Sequence, residues 1–413
     1  MTEGERLLND NNSTWRGALP IARRLAAAVL ALALASCGDG DGGGSTSPPA
    51  SGLSAAAALG EKIFGDASLS ASGRMSCATC HDPAQAHATG NPDAVVPAGG
   101  AALDVPGFRN APSLRYLNLT PAFSFDSERT PTGGFDRDGR AASLVDQAER
   151  PFLAAHEMAN VTAENVVAKL RSATYVEEFR RVFGAGILDT PDAAFDRMRF
   201  ALAQYQKEGP EFHSFDSKYD LFLAGRVNLT GRELQGLALF NDPQKGNCAA
   251  CHPSGRGADG SPPLFTDFTY DNIGVPRNPA IPANADATYF DLGLCGPFRT
   301  DLADRTDLCG GFKVPTLRNV AVTAPYFHNG RFKTLREVVG FYVRRDTNPE
   351  EWYPPNADGS VSKFDDLPPQ YRANVNTTEV PYNRKPGGTP ALTADEIDLV
   401  VEFLGTLTDG YKP

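Results

Sequence analysis

The chain has 413 residues, of which 41% are hydrophobic and 22% charged, so packed cores are feasible and wholesale disorder is excluded. Fifty acidic against 39 basic side chains give a net charge of −11, which argues against a nucleic-acid binder, since that function needs a basic face. Forty Gly and 32 Pro require long stretches of turn and loop.

From the N-terminus, Arg23 and Arg24 precede an apolar run, Leu25–Ala35. The run is shorter than the ~20 residues a membrane span needs, and residues 1–36 read as an export signal. Leu34-Ala35-Ser36-Cys37 has the form of a bacterial lipobox, in which Cys37 becomes the lipidated first residue of the mature chain. Ordinary cleavage near Ala35, leaving Cys37 unmodified, is the alternative. Residues 37–52 are rich in Gly, Asp, Ser and Pro, as a flexible tether would be. No later apolar stretch is long enough to cross a bilayer. The expected product is an exported periplasmic protein in an oxidising compartment, touching a membrane only through its lipid.

Two segments further on repeat each other. Leu59-Gly60-Glu61-Lys62-Ile63-Phe64 leads to Cys77-Ala78-Thr79-Cys80-His81, and Gln235-Gly236-Leu237-Ala238-Leu239-Phe240 leads to Cys248-Ala249-Ala250-Cys251-His252. Each is a short apolar helix, a Gly-containing loop and a Cys-x-x-Cys-His motif. Two copies predict two similar domains, placed at 53–212 and 213–413. Between the copies, Thr162–Phe183 and Asp192–Glu208 read as helices. Thr230 with Glu233 and Thr393 with Glu396 have capping-box spacing. Ile397, Val400, Val401, Leu404 and Leu407 then follow helical spacing, predicting a terminal amphipathic helix. Period-2 alternation is scarce, so the predicted fold is mostly α with long loops.

Cys-x-x-Cys-His is the c-type haem attachment signature: two thiols add across the haem vinyl groups and the adjacent His binds the iron. A zinc site or a thioredoxin-like pair is the alternative, and two copies behind matching helices favour haem. Cys77, Cys80, Cys248 and Cys251 then carry two haems, with His81 and His252 as proximal ligands. Cys295 and Cys309 close a 15-residue loop, worth about 3 kcal/mol on the chain-entropy model if they form a disulfide. An open sixth position at an iron supports peroxide chemistry, and a filled one supports electron transfer. The other histidines are His87, His156, His213 and His328, and the methionines are Met1, Met75, Met158 and Met198. No Met follows Cys251, so the second iron is left with His328, a Tyr, a Lys or a ligand from the other domain. His87, six residues past His81, reads as a packed or surface histidine.

Further motifs carry a resemblance. Phe312-Lys313-Val314-Pro315-Thr316-Leu317-Arg318-Asn319-Val320 through Ala324-Pro325-Tyr326-Phe327-His328-Asn329-Gly330 resembles the bacterial dihaem cytochrome c peroxidase and MauG family. Phe108-Arg109-Asn110-Ala111-Pro112-Ser113, Asp138-Gly139-Arg140 and His156-Glu157-Met158 match the family's other motifs in order, and the likeness covers residues 53–411. It implies two c-type cytochrome domains with one haem each, the N-terminal haem being peroxidatic. Family peroxidases often place a displaceable His before Arg-Asn-Ala-Pro, whereas this chain has Gly100-Ala101-Ala102-Leu103-Asp104. The N-terminal haem is therefore expected to be open, as in MauG.

By the same resemblance, Glu157 is the distal acid that moves a proton between the peroxide oxygens, and Pro151 is a distal-pocket proline. The peroxidases' distal Met on the C-terminal haem lies 14 residues past the Pro-Tyr-Phe-His histidine, where this chain has Tyr342. Tyr there, as in MauG and the methanobactin-associated enzyme, favours storing oxidising equivalents. Interdomain calcium ligands map to Asn110, Thr323 and Pro325. Many members carry a Trp between the haems where this chain has Arg137. The C-terminal runs Phe364–Pro368 and Thr406–Tyr411 look closest to the methanobactin-associated branch, which oxidises a partner Trp to kynurenine. The leading expectation is an oxidase that uses hydrogen peroxide to form high-valent haem and oxidises a side chain of a periplasmic protein. The alternatives are a peroxidase fed by a small cytochrome and a non-enzymatic electron carrier.

Overall fold

The computed structural model describes residues 52–89, 93 and 95–413. The export signal, Cys37 and the tether up to residue 51 lie outside the described residues.

Helix α1 (Ala55–Gly65) starts where the Ser54 hydroxyl accepts the Ala57 N–H at 3.2 Å. One-turn α2 (Cys77–Cys80) holds both thiols of the first motif. Short helices α3 (Leu144–Gln147) and α4 (Glu149–Leu153) follow. The single helix expected over Thr162–Phe183 is instead two, α5 (Ala163–Leu170) and α6 (Val176–Phe183). Leu170 and Phe179 are both fully buried. Nine residues at about 100° each would put them on opposite faces of one helix, and the break lets both reach one core. Next come α7 (Pro191–Glu208), which opens on a proline that needs no N–H partner, and α8 (Lys218–Leu223). Three helices complete the set: α9 (Gly231–Asn241), α10 (Leu335–Arg344) and α11 (Ala394–Gly405). The capping boxes at Thr230/Glu233 and Thr393/Glu396 are present. Among the described residues, strands occur only as three antiparallel pairs of two-residue segments, such as Ala98–Gly99 with Val105–Pro106. The fold is mostly α with long loops.

The two largest apolar cores follow one another along the chain, with smaller clusters around Phe341 and Phe135 beside them. One gathers Leu53 to Phe212 around α1, α5, α6 and α7, and the other gathers Tyr219 to Leu407 around α9, α10 and α11. Polar contacts tie the halves together: Arg109 forks onto Asp291 at 2.6 and 2.7 Å, and the Tyr270 hydroxyl donates to Gly133 O at 2.6 Å.

The sequence repeat has a packing reason. A Cβ on Gly60 of α1 would lie 2.0 Å from Ala201 O and 2.8 Å from the Tyr205 Cβ of α7. A Cβ on Gly236 of α9 would lie 2.0 Å from Leu399 O and 2.9 Å from the Phe403 Cβ of α11. Each motif helix thus crosses its partner backbone to backbone, at the same position of the repeat and against an i, i+4 pair. The repeated unit therefore includes the partner helices α7 and α11, which the motif spacing alone did not reveal.

Candidate haem centres

In the first motif Ser76 and Thr79 cap α2 reciprocally, and His81 follows directly. The loop after it turns through Ala86 and His87, both at positive φ (52° and 55°), which brings the His87 carbonyl back to His81. His81 Nδ1 lies 3.1 Å from that carbonyl and 3.0 Å from Pro112 O. Carbonyls only accept, so Nδ1 carries the proton and Nε2 is left free to bind a metal. The second motif repeats the device: His252 Nδ1 lies 2.7 Å from Phe265 O, presented by a residue at φ 54°. Burial lowers the pKa of both rings, which favours the neutral imidazole a metal needs.

Cys77, Cys80, Cys248 and Cys251 are free thiols. Burial pushes them up to about 12, 11, 12 and 12, so they stand as S–H groups ready for thioether formation rather than as thiolates. Cys295 and Cys309 are joined as a disulfide with Cα atoms 5.0 Å apart. Among the described residues there is no cluster of three or more His, Cys, Asp or Glu placed to hold a metal ion.

Each motif opens into its own cavity. The N-terminal one is about 530 Å³ and is lined by Cys77, Cys80, His81, Pro151, His156 and Glu157. Residues 100–104, where some family members carry a displaceable His, do not line it. Glu157 Oε2 is buried without a hydrogen-bond partner. The side chain as a whole is 41% exposed, and the surface it keeps lines the cavity a haem would fill. Burial, reinforced by Asp136 and opposed by Arg140 and Arg150, raises its pKa to about 7. Gly99 holds the acid in place. A Cβ there would lie 2.4 Å from His156 O and 2.5 Å from Glu157 O, while Gly100 N–H donates to Glu157 O at 2.9 Å. Met158 N–H donates to Pro151 O at 3.0 Å, so the proline anchors the same turn. His156 sits edge-on to Phe108 with its Nε2 3.8 Å from Glu157 Oε1. His87 does not line this cavity: it is 1% exposed, packed against Phe64 and Phe212 behind His81.

The C-terminal cavity is smaller, about 210 Å³, and is lined by Cys248, Cys251, His252, His328, Tyr342 and Tyr382. Tyr342 comes from α10 and packs against Phe327 and Tyr382, with ring centroids 5.8 and 6.1 Å away. Burial raises its phenol pKa well above the ordinary value in the absence of a metal. His328 lines the same cavity: its ring stacks flat on Phe312 at 3.8 Å, and its Nε2, 3.6 Å from Asp366, makes no hydrogen bond. Asn110 Nδ2 donates to Pro325 O at 2.5 Å and its Oδ1 is buried without a partner. Thr323 lies two residues before Pro325, with its hydroxyl turned back to Val320 O at 3.3 Å.

Gly60, Gly236 and Gly99 act through the backbone and carry no chemical motif. The matching place of the first two in LGEKIF and QGLALF was the only signal for them.

Two Cys-x-x-Cys-His cavities in a mostly helical frame, one lined by an acid and one by a tyrosine, define a dihaem c-type oxidoreductase. Residues 54–228 match the di-haem cytochrome c peroxidase family. The chain is 38% identical to the methylamine utilization protein MauG of Paracoccus denitrificans, over 87% of this chain and 90% of that protein. It is similar to the crystal structure of the diheme peroxidase BthA of Burkholderia thailandensis, with a TM-score of 0.79 and 40% identity over 86% of each chain. A MauG-like protein associated with microbial copper homeostasis matches at TM-score 0.60 and 26% identity, over 88% of this chain and 92% of that one. The chain belongs to the dihaem cytochrome c peroxidase and MauG family and is a dihaem peroxidase-type enzyme.

Proposed function

We propose that the protein reacts with hydrogen peroxide at the N-terminal haem, takes the two balancing electrons from a side chain of a partner protein, and so modifies that partner. A partner tryptophan is the first residue to test. The observation that carries this reading is Tyr342, which lines the same cavity as His252 and the second thiol pair. When bound, the haems supply iron centres that pass electrons from the partner to peroxide.

The chain's own residues do the rest. Cys77 and Cys80 hold one haem and Cys248 and Cys251 the other, with His81 and His252 as iron ligands. Glu157 takes the proton from one peroxide oxygen and returns it to the other, so that the departing oxygen leaves as water. Its partnerless Oε2 is free to do so, and Pro151 and Gly99 fix its backbone. Tyr342 serves the second iron as tyrosinate, since a ferric charge reverses the effect of burial on the phenol. Asn110, Thr323 and Pro325 form a calcium site in this reading. Asn110 suits the role, because its carbonyl oxygen is orphaned and rotating its amide would aim two oxygens at one point. Export to the periplasm and a lipid on Cys37 complete the proposal. Among the described residues no helix is long and apolar enough to cross a membrane.

The test is Tyr342→Phe in the haem-loaded protein. The ferric EPR and optical spectra of the C-terminal haem should change while both haem masses are retained, and partner modification should be lost. Unchanged spectra would remove the tyrosinate assignment. Fast turnover of wild type with a reduced small cytochrome, in the absence of other partners, would instead favour a detoxifying peroxidase.

A further inference from the structure

Among the described residues, Arg137 is the one side chain that lines both haem cavities. Its Nε donates to Asn110 O at 3.1 Å, and its own carbonyl accepts the Lys313 N–H at 2.9 Å. These bonds leave both Nη groups without a protein acceptor, and among the described residues no carboxylate pairs with it. Its arginine neighbours are all matched, while Lys313 reaches only the Gly134 carbonyl. Arg109 takes Asp138 and Asp291, Arg140 takes Asp136 and Asp138, Arg150 takes Asp136, and Arg299 takes Asp301.

A guanidinium withdrawn from water without a counter-charge is costly, and its planar fork matches a carboxylate. Arg109 stands close enough to repel it, and Asp291, already paired with Arg109, attracts it without touching it. Each haem brings two propionates. We propose that Arg137 is the counter-cation shared by the two haem sites: its free Nη groups take a haem propionate, and its charge, set between the cavities, raises the reduction potentials of both haems together. Where many family members place an indole, this chain places a fixed positive charge, so the haems are linked here by a common electrostatic field. This inference rests on the two-haem reading.

The experiment is a spectroelectrochemical titration of haem-loaded wild type, Arg137→Gln and Arg137→Lys, after intact mass has shown two retained haems. Arg137→Gln should lower both midpoint potentials. Arg137→Lys keeps the charge and should hold both near wild type. Resonance Raman should show the propionate-bending band shifted in both variants, because the fork is lost in each. If Arg137→Gln does not fold, Arg137→Trp supplies the neutral comparison. Unchanged midpoints in the neutral variant, or a shift at one haem alone, would overturn the shared role. An unmoved Raman band would overturn the propionate contact. Fewer than two haem masses in wild type would instead sink the two-haem reading.

Discussion

In the N-terminal half a histidine is oriented by backbone carbonyls at 3.0 and 3.1 Å, and in the C-terminal half by one at 2.7 Å. In both halves a glycine at the same place of the repeat brings the motif helix against its partner. The cavities then differ. The first is about 530 Å³ and presents a carboxylate with a partnerless oxygen, and the second is about 210 Å³ and presents a phenol. Shared packing fixes where each proximal nitrogen points, and separate loops choose what faces it. In the proposed function, peroxide chemistry falls to the roomier, acid-lined cavity and storage of oxidising equivalents to the tighter, phenol-lined one.

The division of labour breaks most visibly at the two distal residues. Glu157→Gln should slow the reaction with peroxide by about 10²–10⁴-fold, the usual contribution of a positioned acid–base group, while leaving the C-terminal haem's ferric spectrum unaltered. Tyr342→Phe should do the converse to the spectrum. Stopped-flow mixing with peroxide, read beside EPR of the resting protein, checks both. If Glu157→Gln reacted at the wild-type rate, the acid would have no part in the chemistry.

The likeness of the halves is open to attack at its packing. A Cβ at Gly60 or Gly236 would meet a backbone oxygen at 2.0 Å, a contact no rotamer change can relieve. Gly60→Ala and Gly236→Ala should therefore each destabilise by at least the ~1–3 kcal/mol typical of overpacking. Denaturant unfolding monitored by far-UV CD would measure it. Gly65→Ala, at a position with nothing within 4 Å, is the control and should stay near wild type. A tolerated Gly236→Ala beside a damaging Gly60→Ala would mean that the two crossings are not equivalent.

Much of this was legible in the sequence because it rests on local chemistry. The haem motifs, the capping boxes of α9 and α11, and the helical class all follow from short-range patterns. The break between α5 and α6 was not legible, because it is set by where Leu170 and Phe179 find a common core. Glu157 reads as a surface acid on local grounds. Its cavity position depends on Gly99, some sixty residues away, and was reached only through the motif resemblance. Arg137 was noticed for the residue it replaces, but its place on both cavities needed the fold.

The smallest effect tests the acid through its charge. A general base works as the carboxylate, and burial raises the Glu157 pKa to about 7, so the working form is lost as pH falls through that value. With one titrating group, about one-tenth is ionised at pH 6 and about nine-tenths at pH 8. The rate with peroxide should thus rise close to tenfold between those values and level off above them, and in Glu157→Gln the rise should vanish. Asp136 adds to the upward shift, and its carboxylate also pairs with Arg140 and Arg150, the two cations that oppose it. Asp136→Asn removes a repelling charge and releases two attracting ones, and all three changes favour the Glu157 anion. Its profile should therefore move to lower pH by a fraction of a unit up to about one unit, with the plateau rate preserved. A profile that moved to higher pH, or that kept its midpoint in Glu157→Gln, would assign the titration to another group of the cavity, with His156 beside Glu157 the first to examine.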